Sequence, residues 1–244
     1  MRIEPFSVDS IVHIVKRGTR GMDIVRTDQD RQRFLSLLFY LNDEFKDEYW
    51  EQRTKSLERF ERPQTWPERK PLVDILAFTL MPNHIHLLLK EIREGGVSRL
   101  TQKVFGSMTT HFNLKYQETG SMFQGPYKAR LVTNDEYLRY VACYIMIKNT
   151  FELFPHGGLL GAARDFDAAW KWALSFPYSS FATYASTSTP GKSDSPASDF
   201  IVASDNILHQ IFHSKKEFKK VSRDMLYAYI EKRNEDFSHL QLED

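Results

Sequence analysis

The sequence has a single cysteine, Cys143, which excludes an intramolecular disulfide and the disulfide-stapled class of secreted domains. It also lacks a dominant charge, since 33 Lys and Arg stand against 32 Asp and Glu, a net charge of +1. Any basic face for a polyanion must therefore be local. No apolar run approaches the roughly 20 residues of a membrane helix, and the first residues show no apolar signal region. We expect a cytoplasmic protein with no membrane segment.

The length and the apolar content indicate how many cores the chain can build. With 244 residues, of which 41% are hydrophobic and 14% aromatic, one sizeable core is within reach, with or without an appendage. The stretch 185–199 is rich in Ser, Thr and Pro, buries little surface, and predicts a flexible linker. We therefore expect a main domain over 1–184, a linker over 185–199 and a small helical tail over 200–244.

An apolar hairpin that contains two histidines stands at the centre of the sequence. The strand-length run 73–80 is followed by the turn formers Pro82 and Asn83 and by a second apolar run. Because side chains alternate faces along a strand, His84 and His86 (the His pair) point to the same side. Two imidazoles on a rigid strand form half of a metal site. Their apolar surroundings favour a functional role, because polar groups there need partners.

Periodicity predicts the elements on both sides of this hairpin. A β-branched strand comes first. Helical spacing of apolar residues then predicts one helix before the hairpin and a second, long helix after it, whose apolar stripe ends at Leu114. A short strand and a further helix follow. Strand, helix, strand, strand, helix, strand is the order of a ferredoxin-like antiparallel sheet with flanking helices. The predicted fold class is therefore α+β, with these elements at 10–16, 33–49 (after an N-cap at Asp28), 97–117, 127–132 and 136–152.

Local positive charge gathers in two parts of the chain. Two arginines stand in a glycine-containing loop after the first strand, and basic residues outnumber acidic ones between 97 and 150. Such groups are candidates for phosphate contacts, although a solvated helix face is an equally common outcome. The candidates for DNA binding are Arg17, Arg20, Arg99, Lys103, Lys128, Arg130 and Lys148.

Several motifs, taken in order, resemble those of a known family. The chain resembles the single-tyrosine HUH transposases, of the class called REP-associated tyrosine transposases. The most specific match is Leu-Met-Pro-Asn-His-Ile-His-Leu-Leu at 80–88, and the matches together cover roughly residues 8–185. The remaining motifs lie at 13–20, 120–128, 143–145 and 176–180.

The resemblance implies a site and a reaction. In this family the His pair holds a divalent metal, Mg or Mn, and a tyrosine attacks single-stranded or hairpin-associated DNA to give a 5′-phosphotyrosine. The family pattern Tyr-Ile-x-x-Asn-Pro matches at Tyr144, with Tyr140 as the reserve choice. The implied protein is a metal-dependent DNA transposase that acts as a monomer or homodimer.

One position departs from the family pattern. The residue four after the tyrosine, often an amide that completes the metal site, is Lys148, and Asn149 follows it. On an α-helix Lys148 shares the face of Tyr144. A protonated lysine cannot bind a metal, but it can contact a phosphate or favour the ionised phenol.

Two other functions remain open from the sequence. The first is a hairpin-DNA-binding protein of the same fold that has lost catalysis. The second is an unrelated metalloenzyme in which the His pair is completed by His13 or Asp74. A weaker metal-binding pair, His209 and His213 at i and i+4, lies in the predicted tail.

Overall fold

The computed structural model describes residues 6–185, 196–212 and 214–231. Most of the predicted linker, as well as His213 and the end of the predicted tail, lies outside these described residues. No helix in the described part of the chain is long and apolar enough to cross a membrane.

Four antiparallel strands form a single sheet. They pair in the order β2-β3-β1-β4, so β1 and β3 are the central strands. With a helix between β1 and β2 and another between β3 and β4, this is the ferredoxin-like arrangement, and the predicted fold class is confirmed. The strands are β1 (Ile11–Arg17), β2 (Val73–Leu80), β3 (His84–Glu91) and β4 (Lys128–Val132).

The sheet separates two helical layers. The helices α1 (Asp28–Tyr40) and α3 (Gly96–Tyr116) cover one face, where Phe34 of α1 packs edge-on against Phe78, 6.4 Å between ring centroids. The next residue of β2, Thr79, points the other way, and its hydroxyl donates to the carbonyl of Ile145 at 2.6 Å. Because neighbouring side chains on a strand face opposite layers, the helix that carries Ile145 covers the second face.

That second helix contains a wide turn. It consists of α4 (Asp135–Cys143), a π-helical turn (Tyr144–Lys148) and α5 (Asn149–Glu152), which follow one another directly. The predicted helix over 136–152 is therefore confirmed in extent, but not in its regular geometry. A π turn inserts one extra residue into a helix and is frequent at functional sites.

The helix predicted to follow an N-cap at Asp28 begins within one residue of that cap, but it is wrong at its end, which was placed at Tyr49. The helix α1 begins at Asp28, where the Thr27 side chain caps it, and it ends at Tyr40. Beyond it the amide oxygen of Asn42 accepts from the backbone N–H groups of Leu72 and Val73, which turns the chain toward β2. Further along the chain a short separate helix forms, α2 (Trp50–Thr54).

The apolar stripe predicted for α3 is wrong at one residue. Leu114 is 77% exposed, whereas Phe105, which the stripe omitted, is buried. Leu114 falls two residues after Phe112, outside the i, i+3, i+4 spacing that keeps side chains on one helix face.

The described part of the predicted tail packs against the body. Phe218 of the last helix is fully buried, with its ring 5.4 Å from that of Phe181 and 6.2 Å from those of Trp170 and Tyr184. Pro196 and the short helical turn Ala197–Phe200 belong to the same packing, because the Thr183 hydroxyl bonds to Ser198. The boundaries of the three predicted segments stay predictions. The helices of this region are α6 (Gly158–Arg164), α7 (Phe166–Ser175), α8 (Phe181–Ala185), α9 (Ile207–Ile211) and α10 (Lys215–Glu231).

Asp30 ties α1 to α3 through a buried carboxylate. It accepts from the backbone N–H groups of Arg26 and Thr27 at 2.9 Å, and from Lys115 and Tyr116 at 2.6 Å. Burial by itself raises the pKa of Asp30, but the hydrogen bonds from Lys115, Tyr116 and the two backbone groups outweigh it and hold the pKa well below its usual range.

Replacing Asp30 with alanine should lower the free energy of unfolding by about 3 kcal/mol, because four donors lose their acceptor. A depressed folded-state pKa stabilises the protein above the unfolded value of about 3.9 and loses that contribution as the pH falls through the folded value. Urea titrations between pH 7 and pH 3 should therefore show the parent approaching Asp30→Ala as acid is added. The exposed Asp23→Ala is the control, and a constant difference between parent and Asp30→Ala would contradict this role.

Candidate functional site

The His pair lies at the start of β3, directly after the turn that contains Asn83. Its two rings lie side by side, with centroids 4.8 Å apart. His86 is fully buried and His84 is 7% exposed. In the register with β1, His84 stands opposite Arg17 and His86 opposite Val15, so these side chains share the face covered by the π turn.

Hydrogen bonds at the Nδ1 atoms determine what the two rings can offer at Nε2. Nδ1 of His84 lies 2.6 Å from the amide oxygen of Asn83, so it donates and leaves the lone pair on Nε2. Nδ1 of His86 lies 3.1 Å from Nε2 of His13. When His86 donates in this bond, its Nε2 also carries a lone pair. Both rings then have the orientation and tautomer of metal-ligating histidines held by neighbouring acceptors.

His13 is also part of this site. The sequence suggested a role for it only in the metalloenzyme alternative, where it would complete the His pair. Its ring stacks on that of His86 with 5.3 Å between centroids, and it is buried. The two residues are 73 positions apart, and their contact depends on the pairing of β1 with β3. The sequence shows a histidine inside a β-branched strand, but it does not reveal the register in which this strand pairs with β3.

Tyr144 meets the His pair from the opposite layer. Its ring lies edge-on to His86, 5.6 Å between centroids, and 6.5 Å from the ring of His13. Tyr140 stacks on the side of Tyr144 at 6.3 Å. The structure thus brings the predicted nucleophile and the predicted metal ligands together. The Tyr144 side chain is 2% exposed, so it is enclosed in this conformation.

The π turn changes which residue follows Tyr144 on the same face. The backbone N–H of Asn149 donates to the carbonyl of Tyr144, five residues earlier, so the wide turn brings Asn149 back over the tyrosine. Asn149 is fully buried, and its amide makes no hydrogen bond with any residue that the structure describes. Buried amides are nearly always hydrogen-bonded, so this one is suited to a polar ligand.

Lys148 is held beside the Tyr144 phenol. Its Nζ lies 3.4 Å from the tyrosine oxygen and 3.0 Å from the carboxylate of Glu152, and the side chain is buried. The ring of Tyr229, from α10, lies 5.7 Å from the same Nζ. Lys148 is therefore a fixed positive charge at the phenol, and α10 packs next to it.

The candidate DNA-binding residues divide between the two faces of the sheet. Lys128 stands opposite Val15 and Arg130 opposite His13, so both share the face of the His pair, as Arg17 does. Arg20 is exposed in the turn after β1. The structure does not bring the other two, Arg99 and Lys103, to this face. They lie on α3, across the sheet, and Nζ of Lys103 donates to the carbonyl of Asp43 at 2.7 Å.

The remaining candidates for a third metal ligand lie elsewhere. Thr79 stands opposite His86, and Asp74 is five residues further along β2, about 16 Å away at the rise of a strand. His209 stacks against Tyr184 at 4.9 Å. Across the described ranges, no group of three His, Cys, Asp or Glu side chains is arranged to hold a metal ion.

Comparisons with known proteins agree with the motifs. The family model described as "Transposase IS200 like" matches residues 43–148, which include the hairpin, the His pair and Tyr144. No curated protein matches the chain. Among solved structures, a REP-associated tyrosine transposase bound to a REP hairpin is similar at 12% identity, over 75% of this chain and 84% of that one, with a TM-score of 0.44. Over residues 43–148 the family model thus agrees with the resemblance inferred from the motifs: this part of the chain is similar to IS200-like transposases.

Proposed function

We propose that this chain is an IS200-like transposase that cuts and rejoins single-stranded, hairpin-associated DNA through a covalent bond to Tyr144. The observation that carries the proposal is the contact of the Tyr144 ring with His86, beside His84. A potential nucleophile and two imidazoles from opposite layers of the fold meet at one buried point. The direct test is to incubate the protein with labelled hairpin DNA and Mn²⁺ and to look for an adduct that survives denaturation.

The donor atoms at this point suit a divalent cation. His84 and His86 would supply Nε2 atoms, and Asn149, whose buried amide makes no hydrogen bond with the described residues, would supply an oxygen. The amide oxygen suits Mg²⁺ and Mn²⁺ alike, so either ion is a candidate for this site. When bound, the metal would neutralise charge on the scissile phosphate and orient it.

The protein's own residues account for the bond exchange. The Tyr144 oxygen would form a bond to phosphorus while the bond from phosphorus to the 3′ oxygen breaks. The phenol loses its proton and the leaving 3′ oxygen gains one, so the products are a 5′-phosphotyrosine and a free 3′-hydroxyl with no net change in protons. A phenol is a weak nucleophile near neutral pH, since its ordinary pKa is about 10. The Lys148 ammonium, 3.4 Å from the tyrosine oxygen, would stabilise negative charge that develops there.

Access to the tyrosine requires a rearrangement. The Tyr144 side chain is 2% exposed, and α10 places the Tyr229 ring near Lys148. A DNA backbone can reach the phenol only after groups around the π turn move. Opening of this kind is a common conformational step in enzymes and often limits the rate.

DNA binding should prefer a hairpin with single-stranded flanks over blunt duplex by about tenfold or more, because each unpaired base that stacks on protein contributes roughly 1–3 kcal/mol. Fluorescence anisotropy at several salt concentrations measures this. Arg130→Gln, on the face of the His pair, should reduce the salt slope by about 0.7. The control is Lys55→Gln, an exposed cation at the end of α2, which should leave the slope unchanged. Equal affinity for blunt duplex would contradict the proposed substrate.

A hairpin-DNA-binding protein without catalysis is the second candidate. The enclosed Tyr144 favours it. It predicts salt-dependent hairpin binding with no adduct in Mn²⁺ or Mg²⁺. The active enzyme predicts both binding and the adduct, so one set of samples separates the two functions.

A further inference from the structure

A groove of about 590 Å³ opens on the face of the sheet opposite the His pair. One wall is α3 and the other is the loop that leads to β4. We call it the Lys16 groove, after the residue that stands at its base. Its lining residues are Lys16, Ser98, Thr101, Gln102, Phe105, Gly106, Thr109, Thr110, Ser121, Phe123, Pro126 and Tyr127.

Lys16 is a buried cation that forms no ion pair with the residues the structure describes. It is 9% exposed, its Nζ donates to the carbonyl of Gly125 at 2.5 Å, and it lies 5.6 and 5.2 Å from the ring centroids of Phe105 and Phe123. No carboxylate of the described residues pairs with it, and burial lowers the pKa of Lys16. Buried charges are normally paired, so this ammonium can still accommodate an acceptor from a ligand.

The walls of the groove are neutral and partly aromatic. The α3 side presents Ser98, Gln102, Gly106 and Thr110 at four-residue spacing, which places them along one helix face. None of the lining residues other than Lys16 is charged. One cation among hydroxyl groups and aromatic rings is complementary to a nucleotide, which offers oxygen and nitrogen acceptors on a flat apolar ring.

The position of the groove connects it to the proposed catalytic site. Lys16 is followed by Arg17, which stands opposite His84, so the groove and the His pair lie on the two faces of the same end of β1. The loop wall is fixed to this end, because the backbone N–H of Gln124 donates to the carbonyl of Arg17 at 2.9 Å. A DNA strand that passes this end of the sheet can meet both places within a few nucleotides.

We propose that the Lys16 groove binds one unpaired base of single-stranded DNA, with the acceptors of the base on Lys16 and its ring against the aromatic wall. The inference rests on the proposed function and deepens it. A base fixed in the groove determines which phosphodiester bond reaches Tyr144. The groove would therefore contribute the sequence preference of the enzyme.

Gly106 offers a way to fill the groove without disturbing the core. A Cβ built at Gly106 meets nothing within 4 Å. Gly106→Ala should therefore raise the melting temperature, since alanine favours a helix more than glycine does, and leave the groove usable. Gly106→Leu keeps the helix and occupies the space of the base. Lys16→Met removes the charge at nearly constant length.

The experiment selects DNA from a pool of hairpins with randomised single-stranded flanks and sequences the bound fraction. The parent and Gly106→Ala should enrich one base at a flank position by about five- to 100-fold. Gly106→Leu and Lys16→Met should lose that enrichment and keep salt-dependent binding to the pool. Unchanged enrichment in Gly106→Leu, or binding of the parent without any base preference, overturns the groove assignment. Failure of the parent to bind any pool member overturns the proposed function as well.

Discussion

Replacing Tyr144 with phenylalanine should abolish the covalent protein–DNA adduct and slow strand cleavage by at least about 10³-fold. The substitution removes the one oxygen that can form the bond to phosphorus. The ring that packs against His86 remains, and the lost contact with Lys148 is long, at 3.4 Å. The cost in folding free energy should therefore not exceed about 1 kcal/mol. Denaturing gels of the parent and the variant with labelled hairpin DNA measure the effect.

Two tyrosines on the same helix provide the controls. The Tyr140 ring stacks on that of Tyr144, with 6.3 Å between centroids. Tyr137 lies about one turn before Tyr140 and near Arg130. Tyr140→Phe and Tyr137→Phe should retain the adduct and cleave within about threefold of the parent, because each variant keeps its packing ring. If Tyr140→Phe loses the adduct while Tyr144→Phe retains it, the nucleophile is Tyr140.

Replacing His84 with alanine should remove metal-dependent cleavage, by about 10³-fold or more, and leave DNA binding largely intact. A metal ion contributes several kcal/mol of charge stabilisation to such reactions, and His84 would supply one of its two imidazoles. His84 is at the start of β3 beside the turn, so its loss should disturb the core less than loss of the fully buried His86. Cleavage rates over a Mn²⁺ titration give both the maximum rate and the apparent metal affinity.

His13 offers a graded comparison in the same titration. It bonds to Nδ1 of His86 and would orient that ring, so His13→Gln should weaken the apparent Mn²⁺ affinity by about 10- to 100-fold and recover activity at high Mn²⁺. The exposed His156→Ala is the control that removes a histidine elsewhere. Cleavage by His84→Ala at the parent's rate and metal dependence would mean that the His pair is structural.

Local patterns were sufficient for the sheet and for the placement of the His pair. The turn formers Pro82 and Asn83 between two apolar runs predict the hairpin, and strand periodicity places His84 and His86 on one face. The assignment of Tyr144 depends on the family pattern, since an aromatic residue at helical spacing is by itself indistinguishable from core packing. The structure brings this tyrosine to His86, which no single segment of the sequence indicates.

The features that the sequence could not show all depend on long-range geometry. The contact of His13 with His86 follows from strand register, and the separation of Arg99 and Lys103 from the His pair follows from the face on which α3 packs. The wide turn that brings Asn149 to the side of Tyr144 could not be predicted, because helix prediction assumes a period of 3.6 residues. The burial of Lys16 between two aromatic rings required the loop after α3 to fold back over β1.

Mass spectrometry of the covalent adduct tests the central proposal most directly. The parent protein is trapped with hairpin DNA in Mn²⁺, the DNA and protein are digested, and the peptide that carries a nucleotide is sequenced. The proposed function predicts a 5′-linked nucleotide on the side chain of Tyr144. A nucleotide on Tyr140 or Tyr137, or hairpin binding with no modified peptide, would contradict it.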